Sequence, residues 1–160
     1  MAKSIDIDAW LDDLDLPQRE VRICGKGSLV TEYAQLQRDL SEARKGEQAV
    51  GEGDEGLNHG GQSAGLQSRL DEVKERIEAS MRTFVMQALS PDQLKALVDK
   101  YAEDPVELTL QAMALQMVEP AMTVEQLRKM RSRIGQGQFQ KLVDTGAGVT
   151  HDQDVDLPFS

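Results

Sequence analysis

Cysteine and histidine, which serve as nucleophiles, general bases and metal ligands, occur three times in this chain, as Cys24, His59 and His151. Nucleophilic catalysis needs a base beside the nucleophile, and a zinc site needs several ligands at short spacings. None of the three residues has such a companion near it in the sequence. His59 lies in a glycine-rich segment and His151 in an acidic one, and Cys24 has the position of a packed strand residue. The chain therefore predicts no enzymatic activity, no metal site and no cofactor.

Two glycine-containing segments have part of the character of phosphate-binding loops, because backbone N–H groups at the start of a helix attract anions. They are Gly25-Lys26-Gly27-Ser28 and Gly135-Gln136-Gly137-Gln138. Neither contains the Gly-x-x-x-x-Gly-Lys frame of a P-loop or the glycine pattern of a dinucleotide fold. We interpret the first as a tight turn with Ser28 as a helix N-cap, and the second as a break between two helices.

A basic run on a predicted helix consists of Arg128, Lys129, Arg131 and Arg133. Such a run could contact nucleic acid or an acidic protein segment, including the aspartate-rich ends of this chain. No aromatic residues are interleaved with it for base stacking, which argues against nucleic-acid binding. A solvated helix face is the favoured interpretation.

Methionine forms the most suggestive cluster in the second half of the chain, where two predicted helices adjoin. Its members are Met113, Met117, Met122 and Met130. Methionine side chains are deformable and suit a surface that holds varied helical partners. We predict partner contacts by these four residues and by Leu157 and Phe159, which give an acidic terminal segment an apolar tip. Packing in the protein core is the alternative for the methionines.

The first 89 residues predict an acidic arm over residues 1–18, followed over 19–89 by a strand, a helical hairpin and a second strand. Polar and apolar residues alternate at 20–24, which is typical of a strand with one buried face. Residues 81–89 are rich in apolar and β-favouring types and predict the second strand, with continuation of the preceding helix as the alternative.

Two amphipathic helices are predicted between these strands, because apolar residues recur at intervals of four, three and four in both. The two stripes are Leu29, Tyr33, Leu36 and Leu40, and then Leu66, Leu70, Val73 and Ile77. A glycine-rich linker over residues 45–65 joins them. Two such stripes connected by a slack loop predict an antiparallel hairpin. The alternative is that each stripe faces the main body of the protein.

Residues 90–145 predict a helical part with three well-marked helix starts. Each start has an N-cap residue followed three positions later by Glu or Gln, and two of them add proline at the first helical position. The predicted caps are Ser90, Asp104 and Thr123. The helix over 106–118 is apolar nearly all round and is expected to run through the core. A fourth helix follows Gly137, and residues 146–160 predict an acidic extended tail.

These elements predict an α+β fold, mostly α, with a short two-stranded sheet, a helical hairpin inserted between its strands, and a C-terminal cluster of about four helices. A length of 160 residues suits one ordinary domain. The net charge of −10 repels phosphate and argues against a nucleic-acid binder. No stretch reaches the ~20 apolar residues of a membrane span, and the first residues lack the pattern of a signal peptide. We therefore expect a cytosolic protein.

Several phrases of the sequence resemble a family of small proteins encoded in the tail-gene region of long-tailed phages of actinobacteria. They are Val21–Tyr33, Thr83–Leu89, Val118–Gln126, Ile134–Phe139 and Val155–Ser160. The resemblance covers nearly the whole chain except the linker. Two departures are a phenylalanine at position 139, where the family more often has tryptophan, and the long glycine-rich linker. Members of this group are taken to be tail assembly chaperones.

The resemblance implies a non-enzymatic role in the cytoplasm of the host cell. Such a chaperone keeps the long helical tape measure protein soluble and guides tail-tube subunits to polymerise around it, so these two proteins are the implied partners. The helical hairpin could also mediate self-association. A structural tail protein of the virion is the alternative function, and a small nucleic-acid-binding regulator that uses the basic run is a less favoured one.

Overall fold

The computed structural model describes residues 4–50 and 61–151, and it confirms an α+β fold that is mostly α. In chain order the elements are α1 (Ile7–Asp12), β1 (Gln18–Cys24), α2 (Gly27–Val50), α3 (Gly61–Ser80), β2 (Met81–Gln87), α4 (Pro91–Tyr101), α5 (Pro105–Gln116), β3 (Met117–Glu119), α6 (Val124–Arg131) and α7 (Gln136–His151). None of the helices in these two ranges is both long and apolar enough to cross a membrane.

The chain divides into two compact units. The first, which we call the hairpin unit, spans Arg22–Arg82. The second, which we call the helical unit, combines Met1–Val21 with Thr83–Ser160. The predicted order of strand, hairpin, strand and helical cluster is therefore confirmed, and the cluster contains α4, α5, α6 and α7.

The sheet has three strands in the order β1-β2-β3, so the prediction of two strands was wrong by one. β3 pairs antiparallel with β2, with Met117 opposite Met86 and Glu119 opposite Val85. This register includes an irregularity between Val85 and Met86. β3 was missed because it is three residues long and follows α5 directly, which leaves no turn signal and no readable alternation.

The two predicted apolar stripes meet in the hairpin unit and form its core. Leu36 and Leu40 of α2 pack against Leu70 and Val73 of α3, and the side chains that flank this cluster are Tyr33, Leu66 and Ile77. At the far end of the hairpin, the Ser63 hydroxyl donates to the Glu47 carboxylate at 3.1 Å. The antiparallel hairpin is confirmed. Because the two stripes pack against each other, the hairpin keeps neither of them available for another molecule.

The helices of the hairpin are longer than the sequence pattern indicated. α2 continues to Val50 and α3 begins at Gly61, so both ends of the predicted linker at 45–65 are helical. Residues 51–60, including His59, lie outside the described residues. The extension of α2 has a local cause, since Lys45, Glu47 and Gln48 are good helix formers that surround a single glycine.

Ser28 is not the N-cap of α2, which corrects that prediction. The helix begins at Gly27, which precedes Ser28, whereas an N-cap at Ser28 would place the first helical residue at Leu29. The carbonyl of Lys26 accepts hydrogen bonds from the backbone N–H groups of Leu29 at 3.0 Å and Val30 at 3.3 Å. Ser28 therefore lies inside the first turn. Gly25 and Lys26 form the short connection between β1 and α2.

The three predicted caps of the helical unit are confirmed. The Ser90 hydroxyl accepts from the Gln93 N–H at 3.2 Å, and the Gln93 carboxamide oxygen accepts from the Ser90 N–H at 3.0 Å. Thr123 and Gln126 form the same reciprocal capping box. The Asp104 carboxylate accepts from the backbone N–H three residues later at 3.1 Å. In α5 the reciprocal bond is absent from the described contacts. The Glu107 side chain, at the third helical position, binds Arg128 and Gln111 instead.

α5 runs through the middle of the helical unit, as the sequence predicted, and it contacts α4, α6, α7 and β3. The side chains with the least exposure in this unit come from four different elements. They are Met86, Leu110, Met113, Leu127 and Leu142. The core of the helical unit is therefore built mainly from α5, α6, α7 and β2.

The last helix extends further than the sequence pattern indicated. α7 continues to His151, so the predicted extended tail over 146–160 is helical in its first part. Gly146 and Val149 are buried within this extension. The tertiary contacts of these small and apolar residues stabilise helix where their glycine-rich composition favours coil. Residues 152–160, including Leu157 and Phe159, lie outside the described residues.

Candidate partner-binding groove

The helical unit contains an open groove of about 680 Å³ between α5, α6 and α7, which we call the α5–α7 groove. Its apolar lining consists of Pro105, Val106, Leu110, Ile134, Phe139 and Val143. Its polar lining consists of Thr109, Arg128, Arg131, Ser132, Gln136 and Gln140. The buried and half-buried side chains of this lining are mostly apolar, whereas the exposed ones are mostly polar. This distribution is typical of a surface that holds an amphipathic segment.

One face of α7 forms a wall of the groove. The lining residues Gln136, Phe139, Gln140 and Val143 recur at the spacing of one helical face. The neighbouring face of the same helix carries Leu142, which is fully buried in the core. Burial of that second face fixes the orientation of α7, so the first face is left to line the groove.

An ion pair ties α6 to α5 at the edge of the groove. The two terminal nitrogens of Arg128 donate to the two carboxylate oxygens of Glu107 at 2.8 and 2.9 Å. The Arg128 Nε also donates to Glu125 at 3.4 Å, and the Gln111 amide donates to Glu107 at 2.9 Å. These bonds use the Glu107 side chain that a capping box at Asp104 would have required. The bidentate geometry is the strongest form of such a pair.

The hydrogen bonds from Arg128 and then from Gln111 lower the pKa of Glu107 below its usual value. The same contact raises the pKa of Arg128, and the largest cause of this rise is the hydrogen bond to Glu107. A carboxylate whose pKa is lower in the folded state stabilises the fold above its unfolded pKa, and this contribution is lost as the pH falls through the folded pKa.

We therefore expect Glu107→Gln to be less stable than the wild type near neutral pH, with a difference in melting temperature that shrinks as the pH falls from about 6 to about 3. Thermal unfolding followed by circular dichroism measures this difference. The control is Glu125→Gln, since Glu125 is the more exposed partner of the same arginine. A difference for Glu107→Gln that stays constant over this pH range would contradict the assignment.

The groove carries positive charge on an acidic protein. Two arginines line it, and its lining contains no aspartate or glutamate. Arg131 makes no ion pair within residues 4–50 and 61–151, so its charge is available to a bound group. Lys129 and Arg133, the other members of the basic run, are exposed and do not line the groove. Of the four residues in the basic run, only Arg128 and Arg131 therefore lie beside the groove.

The methionine cluster does not form this groove. Met113 and Met117 are only 2% and 5% exposed, so the core alternative holds for them and they cannot contact a partner in this conformation. Met122 and Met130 are half-buried and lie outside the groove lining. Met113 is in the core because α5 is the central helix, and Met117 because it lies on β3 opposite the buried Met86 of β2.

The residues with catalytic or metal-binding side chains do not assemble into a site. Cys24 is buried, as predicted, with its Sγ 3.3 Å from the Ser80 hydroxyl. His151 is exposed at the end of α7. Across residues 4–50 and 61–151, no group of three histidine, cysteine or acidic side chains is placed to hold a metal ion.

Comparisons with known proteins identified no relative of this chain. No family model, curated protein or solved structure matches the chain. The function of the groove is therefore inferred from its own side chains and from the family resemblance of the sequence.

The acidic arm is the second exposed apolar surface of the helical unit. α1 buries none of its residues, although Asp6 caps it by accepting from the Ala9 N–H at 3.3 Å. Half of the large exposed apolar side chains in the described ranges lie within this short segment, namely Ile5, Ile7, Trp10, Leu11 and Leu14. Exposed apolar side chains clustered in this way are typical of a protein contact site.

Sequence analysis alone did not identify the α5–α7 groove. It noted Phe139 as a departure from the family pattern and Arg128 and Arg131 as part of a basic run, but it did not place them together. The spacing of Gln136, Phe139, Gln140 and Val143 was the available signal. That spacing describes one face of a helix and contains no information about which other helices border it.

Proposed function

We propose that this protein is a tail assembly chaperone of a long-tailed phage, and that it binds the tape measure protein through the α5–α7 groove. The observation that carries the proposal is an open groove with apolar lining residues on a strongly acidic chain. The family resemblance supplies the identity of the partner. The protein acts by binding and not by catalysis, in the cytoplasm of the infected host cell.

The chemistry of the groove suits such a client. A tape measure helix exposes extended apolar stripes that would associate with one another, and an amphipathic helix docks by placing side chains at helical spacing into an apolar groove. The net charge of −10 keeps the resulting complex soluble. Tail-tube subunits then replace the chaperone as they polymerise. Replacement requires modest affinity, which a single open groove with polar edges favours over a large dry interface.

Co-expression tests the proposal with a matched pair of variants. Val106 and Val98 are both 43% exposed and both lie on helices of the helical unit, but only Val106 lines the groove. We expect the tape measure protein to be soluble with the wild-type chaperone and with Val98→Glu, and to be largely insoluble alone or with Val106→Glu. The fraction of tape measure protein in the supernatant is the measurement.

Two results would count against the proposal in different ways. Unchanged solubility of the tape measure protein with and without the wild-type chain would reject the chaperone function. Equal solubilisation by Val106→Glu would leave the function standing and would reject the groove as the binding site. Mass spectrometry of purified particles separates the alternative function, because a structural tail protein is present in stoichiometric amounts and a chaperone is absent.

A further inference from the structure

We propose that the α5–α7 groove is a docking site for residues 152–160 of the same chain, which fold back along α7. The occupant is an acidic segment with regularly spaced apolar side chains. This inference concerns the free protein and stands whether or not the groove also binds a tape measure protein.

Charge complementarity is the first observation behind the proposal. Arg128 and Arg131 line the groove, which has no acidic lining residue. Residues 152–160 contain three aspartates and no lysine or arginine. Arg128 already binds Glu107, so Arg131 is the main partner for an incoming carboxylate. In a chain of net charge −10, this pairing places an acidic segment beside the arginines of its own helical unit.

The sequence pattern of the segment matches the lining of the groove. Apolar side chains occur at positions 155, 157 and 159, and two of the three aspartates occupy positions 154 and 156. In an extended backbone, residues two apart share a face. Val155, Leu157 and Phe159 would therefore point together toward the apolar lining, and the aspartates would point toward the polar edge.

The covalent connection makes this docking geometrically accessible. α7 ends at His151, and its lining residue nearest to that end is Val143, about 12 Å away along the helix axis. Residues 152–160 can extend over about 30 Å. They can therefore turn back and pass Val143 and Phe139. Such a tether supplies a local concentration in the millimolar range, so even a weak contact is occupied.

The acidic arm has a similar composition but is a poorer candidate for the groove of its own chain. Its end is held at the sheet, where the Pro17 carbonyl accepts from the Ala88 N–H at 2.8 Å. Residues 152–160, in contrast, continue directly from the helix that forms a wall of the groove. We therefore assign the groove to them.

Photo-crosslinking in the full-length chain tests the assignment. Phe159→p-benzoylphenylalanine places a photo-reactive aromatic group at the proposed contact, and mass spectrometry maps the products. We expect crosslinks within one chain to the two groove-lining segments, residues 105–110 of α5 and residues 128–143. We also expect Arg131→Glu to lower their yield by about threefold, as for the loss of one exposed ion pair, while the control Arg133→Glu leaves it unchanged.

Three results would overturn the inference. They are crosslinks confined to other parts of the molecule, crosslinks formed only between two chains, and equal yields for Arg131→Glu and Arg133→Glu. Crosslinks from position 159 to the acidic arm would count as the first of these results. The experiment contains no tape measure protein, so its failure leaves the chaperone proposal intact, and failure of the co-expression test leaves this inference intact.

Discussion

Leu142→Ala is expected to lower the free energy of unfolding by about 2–5 kcal/mol, which is the usual cost of removing a buried leucine side chain and leaving a cavity. Leu142 is fully buried on the face of α7 that meets the core. The substitution keeps helix propensity high, because alanine is the best helix former, so the loss reports packing. Urea unfolding followed by circular dichroism measures it.

Leu115→Ala in α5 is the matched control, since Leu115 is 51% exposed. We expect this variant to differ from the wild type by less than about 0.5 kcal/mol, as surface substitutions usually do. Equal destabilisation by the two variants would contradict the placement of the core. Leu142 also lies beside Val143, which lines the groove. Leu142→Ala is therefore expected to weaken the binding of any ligand to the groove as well.

Gly146→Ala is expected to destabilise the protein by about 1–3 kcal/mol, although the same change in an open helical position is usually favourable. A Cβ atom at Gly146 would lie 2.6 Å from the carboxamide oxygen of Gln116 and 3.0 Å from the Met86 methyl group. Gln116 is itself a buried polar residue at the end of α5. The glycine therefore permits the close approach of α7 to Gln116.

The Gln116 side chain has little freedom to move away from an added methyl group. Its amide nitrogen donates to the Gly146 carbonyl at 2.8 Å and to the Thr150 hydroxyl at 2.9 Å. That hydroxyl also accepts from the Leu89 N–H at 3.2 Å. A shift of Gln116 would leave buried polar groups without partners, which is costly. The expected destabilisation of Gly146→Ala follows from this connected set of bonds.

Gly137→Ala provides a control in the same helix, because a Cβ atom there meets nothing within 4 Å. We expect this variant to be as stable as the wild type or more stable, so the two glycine substitutions in α7 have opposite signs. Thermal unfolding of both variants measures the contrast. A stabilising effect of Gly146→Ala would show that α7 does not pack closely against Gln116.

The parts of the fold that sequence analysis predicted correctly depend on interactions between near neighbours in the chain. The caps at Ser90, Asp104 and Thr123 each satisfy a backbone group three residues away, so their residue types are sufficient to identify them. The stripes of α2 and α3 repeat at helical spacing, and their pairing follows because the two helices are consecutive and a flexible linker joins them.

The features that sequence analysis missed depend on contacts between residues far apart in the chain. Met113 is in the core because α5 is surrounded by other elements, and Met117 is there because β3 pairs with β2; no spacing of methionines in the sequence shows either arrangement. The helical conformation around Gly146 follows from its packing against Gln116, thirty residues earlier. Glu107 binds Arg128 of α6 and not its own cap, because tertiary packing brings that arginine within reach.

The sequence by itself therefore determined the class of fold, the hairpin, the helix starts and the acidic charge of the chain. Tertiary structure decided which apolar side chains are buried and which line a groove. The physical reason is that burial depends on which helices meet, and that choice is made by the combined packing of α5, α6 and α7. The groove between them is a property of all three helices together and has no separate signal in any one of them.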